Sequence, residues 1–167
     1  MNGVGQVTVT FCGHSKLYRT EKISSWLDII LPALIEGGAT YFYLGGYGEF
    51  DRLAAAAVRR QKSIYSHIQN ILVLAYLNRE ADTSGYDGTT YPPLETVPLR
   101  YAILKRNEWM VCASDVVISC VTHGWGGAAK TLDYAKRRGK VILQFPKQPR
   151  EKGDAASLQK PTSGSML

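Results

Sequence analysis

Between residues 40 and 58 an apolar run, a cluster of glycines and an alanine-rich stretch follow one another, and their order constrains the whole chain. Thr40 to Leu44 reads as a buried strand, Gly45-Gly46-Tyr47-Gly48-Glu49-Phe50-Asp51 as a turn, and Arg52 to Val58 as a helix. A strand, a glycine turn and a helix in that order form a cradle for an anion. Glycine lets the backbone approach a phosphate closely, and the free N–H groups of the first helical turn point at it along the helix dipole. Glu49 and Asp51 modify this, because carboxylates repel phosphate but suit ribose hydroxyls. The loop therefore reads as a sugar-phosphate site, weighed against a turn that merely packs helix on strand.

The flanking chain repeats the unit. Val7 to Phe11 is a β-branched first strand that stops at a second glycine-bearing turn, Cys12-Gly13-His14-Ser15-Lys16. Ile23, Trp26, Leu27, Ile30, Leu31, Leu34 and Ile35 recur at the helical period, and Gly37-Gly38 closes that helix. Pro32 inside it is expected to kink or shorten it. The helix of the opening motif is expected from about Phe50 to His67, with a third strand at Ile71 to Tyr76. Leu77 to Val97 has no period and reads as a long loop, either a lid beside a pocket or a surface excursion. A helix over Leu99 to Ala113, a strand over Val116 to Val121 and a third glycine turn at Thr122-His123-Gly124-Trp125-Gly126-Gly127 follow. Ala128 to Arg138 is the next helix and Lys140 to Phe145 a fifth strand. The alternation implies a single α/β domain over residues 1–146. It is a Rossmann-like, doubly wound parallel sheet of about five strands with helices on both faces, followed by a flexible tail at 147–167. Ligands of such sheets sit outside the carboxyl ends of the strands, where all three glycine turns fall.

Composition limits the partners. Of 167 residues 45% are hydrophobic and 20% charged, as in an ordinary globular chain. The formal charge of +6 favours anionic partners, nucleotides or nucleic acid. Cys12, Cys112 and Cys120 lack metal-ligand spacing and suit reduced thiols in a cytoplasm, so no metal or cofactor is expected. Met1 to Gly5 does not resemble a signal peptide, and no apolar run approaches the ~20 residues of a membrane span.

Several residues stand out chemically. Arg106 lies on the apolar stripe of its helix with Leu99, Ala102, Ile103 and Met110. A guanidinium facing inward must meet an anion, either a carboxylate such as Asp115 or a phosphate held bidentately at the pocket edge. Asn107 flanks it. His14 and His123 sit in glycine turns, where each can donate to a ligand oxygen or move a proton. Tyr47 and Trp125 are placed to stack on a base. No Gly-x-Gly-x-x-Gly fingerprint follows the first strand, which argues against a standard dinucleotide-dependent dehydrogenase.

Val7-Thr8-Val9-Thr10-Phe11-Cys12-Gly13-His14 and Tyr43 to Ala54 resemble the YpsA-like branch of the SLOG superfamily. Lys105 to Met110, Ser114 to Ile118 and His123 to Thr131 share the resemblance, which covers Val7 to about Phe145. It implies a Rossmann-like protein that binds a nucleotide or nucleotide-derived ligand, self-associates and in some relatives serves phage or stress defence. The related LOG phosphoribohydrolases carry an Arg before a Met, a strand, and then Pro-Gly-Gly-x-Gly-Thr-x-x-Glu. Arg106, Met110 and Asp115 match the first half, and Gly124-Trp125-Gly126 match the glycines. Ala129 and Lys130 stand at the acidic positions, so Glu49 or Asp51 would have to supply the carboxylate of a hydrolase.

The leading reading is binding of a nucleotide or ADP-ribose-like ligand at the sheet edge, for sensing or sequestration. Gly13, His14, Gly45, Gly46, Tyr47, Gly48, Arg106, Asn107, Thr122, His123, Gly124, Trp125, Gly126, Gly127 and Lys130 would hold the ligand. The alternative is an N-glycosidic hydrolase using Glu49 or Asp51. Nucleic-acid binding ranks third, because the basic residues form no compact run with interleaved aromatics outside the tail.

Overall fold

The computed structural model describes residues 5–147. Six strands are joined by four α-helices. They are β1 (Val7–Gly13), α1 (Thr20–Glu36), β2 (Ala39–Leu44), α2 (Gly48–Lys62), β3 (Gln69–Val73), β4 (Gly88–Thr90), α3 (Ala102–Cys112), β5 (Val116–Cys120), α4 (Gly127–Arg137) and β6 (Val141–Gln144). All strands pair in parallel, in the order β4-β3-β2-β1-β5-β6. Chain order runs outward from β1 in one direction through β4 and then resumes on its other side with β5. That reversal opens a crevice between the carboxyl ends of β1 and β5.

The sheet carries a core on each face. Alternation along β1 sends Val9 and Phe11 one way and Cys12 the other. On the first face Ile23, Leu27, Leu31 and Ile35 of α1 recur every four residues, and all are buried beside Phe50, Ala54, Ala57 and Val58 of α2. The second face sets Cys12, Val117 and Val121 against Val111 of α3 and Leu132 and Ala135 of α4. β5 is buried along its whole length, as a central parallel strand covered on both sides must be.

Several local expectations need correction. The sheet has six strands rather than five, because the Leu77–Val97 stretch contains β4. This strand is too short and polar to show a period. It is fixed by its backbone, with Asp87 N–H donating to Asn70 O (2.8 Å) and Asn70 N–H to the Asp87 carboxylate (2.8 Å). α1 runs unbroken through Pro32, which is tolerated because tertiary packing of the four buried apolar residues holds the turns on either side. α2 ends at Lys62 instead of His67, and β3 starts earlier and ends earlier than its apolar run. Leu99 is exposed in a 3₁₀ turn before α3, so the inward stripe of that helix begins at Ala102. The tail expected from 147 onward lies, apart from Lys147, outside the described residues. Among those residues no helix is long and apolar enough to cross a membrane.

Candidate functional site

The three glycine turns meet at the carboxyl edge of the sheet around a cleft of about 340 Å³. Gly13 ends β1 with no space for a side chain, since a Cβ there would lie 2.3 Å from the Phe50 ring. Gly48, at φ +88°, opens α2 directly against the Ser15 backbone. Gly126, at φ +90°, caps the start of α4 with no side-chain partner. A Cβ at Gly124, Gly126 or Gly127 would meet nothing within 4 Å, so these backbone groups face open space.

His14 and His123 are brought together although they lie over a hundred residues apart. Their rings stack at 3.7 Å, and Trp125 stacks on the other face of His123 at 3.7 Å. His14 Nε2 accepts the Thr122 N–H at 2.9 Å and lies 3.4 Å from the His123 N–H. An Nε2 that accepts an N–H is the unprotonated nitrogen, and burial first, then the His123 ring, lower the His14 pKa in the same sense. His123 Nδ1 is buried with no hydrogen-bond partner among the described residues.

Arg106 is buried on α3, only 4% exposed. Its Nη1 donates to Gly45 O (2.7 Å) and Val73 O (3.2 Å), and Nε to Asn107 Oδ1 (2.9 Å). Its Nη2 makes no hydrogen bond among the described residues. A Cβ at Gly45 would fall 2.7 Å from the guanidinium carbon, so glycine is what lets the two elements touch. Asp115 is not its partner: it exchanges backbone and side-chain hydrogen bonds with Thr8 instead. The carboxylate that does interact with Arg106 is Asp51. Asp51 accepts the Tyr47 N–H at 3.1 Å, and burial pushes its pKa up to about 6 against the opposing pull of that N–H and of Arg106.

The structure thus groups Gly13, His14, Tyr47, Asp51, Arg106, Asn107, His123, Trp125, Gly126 and Gly127 around one cleft. Glu49 is turned away toward the preceding loop, where its carboxylate accepts the Leu17 N–H and sits 3.9 Å from Arg52. Lys130 is exposed on α4 and Gly124 and Thr122 stand on the opposite side of the turn, none of them lining the cleft. Met110, Thr131 and Lys16 line it without having been singled out as ligand-binding residues. Thr131 has the helical spacing to Ala128 that marks it as inward-facing. Lys16, in an irregular turn, carries no such signal. Among the described residues no group of three His, Cys, Asp or Glu side chains is placed to hold a metal.

No family model and no curated protein matches the chain. Solved structures do. DNA processing protein A from Helicobacter pylori, described for its single-stranded DNA binding mode, superposes with a TM-score of 0.59 at 17% identity, over 86% of this chain and 67% of that one. DNA processing protein A from Streptococcus pneumoniae gives 0.60 at 17%, over 89% of this chain but only 53% of its own length. The molybdenum cofactor binding protein from Rippkaea orientalis gives 0.56 at 19%, over 86% and 78%. What they share with this chain is the fold. It is a Rossmann-like α/β fold built on one parallel sheet.

Proposed function

We propose that the cleft binds a nucleotide or nucleotide-derived ligand, as a sensor or sequestering protein of the YpsA-like branch of the SLOG superfamily. The observation that carries this reading is Arg106, buried at the wall of the cleft that the uncapped start of α4 also lines, with no hydrogen bond from Nη2 among the described residues. A buried guanidinium with a free donor and a helix start lacking a side-chain cap are both completed by a phosphate. Asp51 and Asn107 offer acceptors and donors for ribose, and the exposed faces of Tyr47 and Trp125 offer stacking for a base. Lys130 at the first turn of α4 adds longer-range attraction for the anion. A cytoplasmic homo-oligomer, in some settings serving defence, is the context that the family resemblance supplies.

A second reading is favoured by Asp51. A carboxyl in the cleft with its pKa near 6 suits general acid–base work on an N-glycosidic bond, which makes Asp51 rather than Glu49 the carboxylate of a hydrolase. One experiment addresses both. Thermal shifts of the purified protein are recorded with AMP, ADP-ribose and a short single-stranded DNA, and each mixture is then analysed for free base. A nucleotide-induced shift is expected, lost in Arg106→Ala but retained in Glu49→Gln. Recovery of intact ligand marks a binder, whereas free base that disappears in Asp51→Asn marks a hydrolase. Binding of DNA alone, weakening steeply with salt, would overturn both in favour of a nucleic-acid surface.

A further inference from the structure

Arg106 also lines a second cavity, about 690 Å³, which shares Tyr47 and Ile103 with the cleft and is otherwise built from different elements. Three more arginines face it. Arg52 and Arg59 are seven residues apart on one face of α2, and Arg79 comes from the segment after β3. Exposed arginines on a helix are ordinarily just solvated, but here three separate elements bring arginines to the wall of one cavity.

Their local partners leave most of that charge unspent. Arg59 makes no hydrogen bond or ion pair among the described residues. It lies so close over Gly85, itself at φ +78°, that a Cβ there would sit 2.2 Å from Nη1. Arg79 stacks its guanidinium 3.9 Å above the Tyr76 ring, which leaves its in-plane donors free. Arg52 reaches only Glu49, at 3.9 Å in a solvent-exposed pair. Two carboxylates also line the cavity, Glu80 and Asp82. Asp82 accepts the N–H and hydroxyl of Ser84, and its charge is the one that acts on Arg59, without a direct ion pair. The cavity remains net positive, and Arg106 stands where it adjoins the cleft.

We infer that this cavity is a second anion subsite, and that the ligand is a nucleoside polyphosphate whose phosphate chain runs from the cleft past Arg106 to Arg59 and Arg79. The nucleoside half of this assignment rests on the nucleotide reading of the cleft; the anion subsite stands on the arginines alone. Planar guanidinium groups grip successive phosphates bidentately, so a longer chain gains contacts that a monophosphate cannot make.

The test compares AMP, ATP and inorganic tripolyphosphate by titration calorimetry in magnesium-free buffer. ATP is expected to bind at least about tenfold more tightly than AMP, the effect of one or two added charge-assisted contacts. The double variant Arg59→Gln/Arg79→Gln should erase that excess and the tripolyphosphate binding, with AMP affinity unchanged. Both side chains are exposed, so the variant folds. Arg137→Gln/Arg138→Gln at the end of α4 lowers the net charge equally and should leave the excess intact. ATP binding no tighter than AMP, or an excess that survives the double variant or falls equally in the α4 control, overturns the subsite while leaving the cleft reading standing. Tripolyphosphate binding that needs Arg59 and Arg79 without any AMP binding sinks the cleft reading and keeps the subsite. Binding of none of the three probes overturns both.

Discussion

Asp51 of α2 and Arg106 of α3 interact beside the carboxyl ends of β2 and β3, and their balance sets how the site responds to pH. Burial raises the carboxyl of Asp51 from 3.8 to about 6, which the Tyr47 N–H and the Arg106 charge only partly offset. The folded state therefore binds a proton that the unfolded chain releases between these values. Stability from this group is present below about pH 4 and lost as pH rises through about 6. His14 works the other way: its lowered pKa withdraws stability as pH falls below its ordinary 6.5. The two overlap in wild type, so the difference from a variant isolates Asp51. Asp51→Asn should gain stability relative to wild type steadily between pH 4 and pH 6.5, read from urea midpoints. Parallel profiles would show that the carboxyl is not perturbed. Glycine acts at this scale too. Gly13 and Gly45 are needed for close approach, one to Phe50 and the other to Arg106, rather than for an unusual backbone angle.

Among the elements, β4 is the least self-sufficient. Its three residues, Gly88–Thr90, hang on one side of β3 with no strand beyond them among the described residues. Asp87 anchors it threefold, through the Asn70 N–H, the Asn70 carbonyl and an ion pair with Lys62 of α2. Removing the carboxylate leaves the buried Asn70 N–H without its acceptor, at a cost of ~1–3 kcal/mol. In Asp87→Ala, amides of Asn70 and of residues 87–90 should exchange with deuterium markedly faster, while β1 and β5 keep their protection. Uniform acceleration across the sheet would instead mean that β4 is integral to global stability. The stretch just before this tether, residues 79–86, contributes to one wall of the arginine cavity.

Across the whole molecule, the sheet is sealed on both faces, and the cysteines report on each side. Cys12 is buried on the α3/α4 face with its thiol pushed up to about 12, mainly by burial, and Cys120 is buried against the opposite core at about 11. Cys112 is exposed beside the Tyr134 hydroxyl, 3.0 Å away. Thiolate is the reactive form, so one equivalent of an aromatic disulfide reagent should react promptly with the native protein at pH 8, and all three thiols only in denaturant. Two prompt equivalents in the native state would mean that one face opens readily.

Sequence by itself determined the alternation of strands and helices, the parallel sheet and the edge at which the glycine turns lie. Those features follow from periods and turn chemistry acting within a dozen residues, as in the four-residue recurrence of Ile23, Leu27, Leu31 and Ile35. It also marked Arg106 as inward-facing from its helical stripe. It did not supply the partners. Arg106 binds Gly45 across sixty-one positions, and His14 accepts from Thr122 across a hundred and eight. Both meetings depend on strand order, which places β5 beside β1, and no local pattern encodes that. For the same reason only the tertiary structure separated Asp51, which lines the cleft, from Glu49 two residues earlier, which holds Leu17 instead. Two positions along a helix turn a side chain by about 200°, and which of those directions faces the cleft is decided by where the helix docks. The convergence of Arg59, Arg79 and Arg106 arises in the same way, from α2, a loop and α3 packed around one cavity.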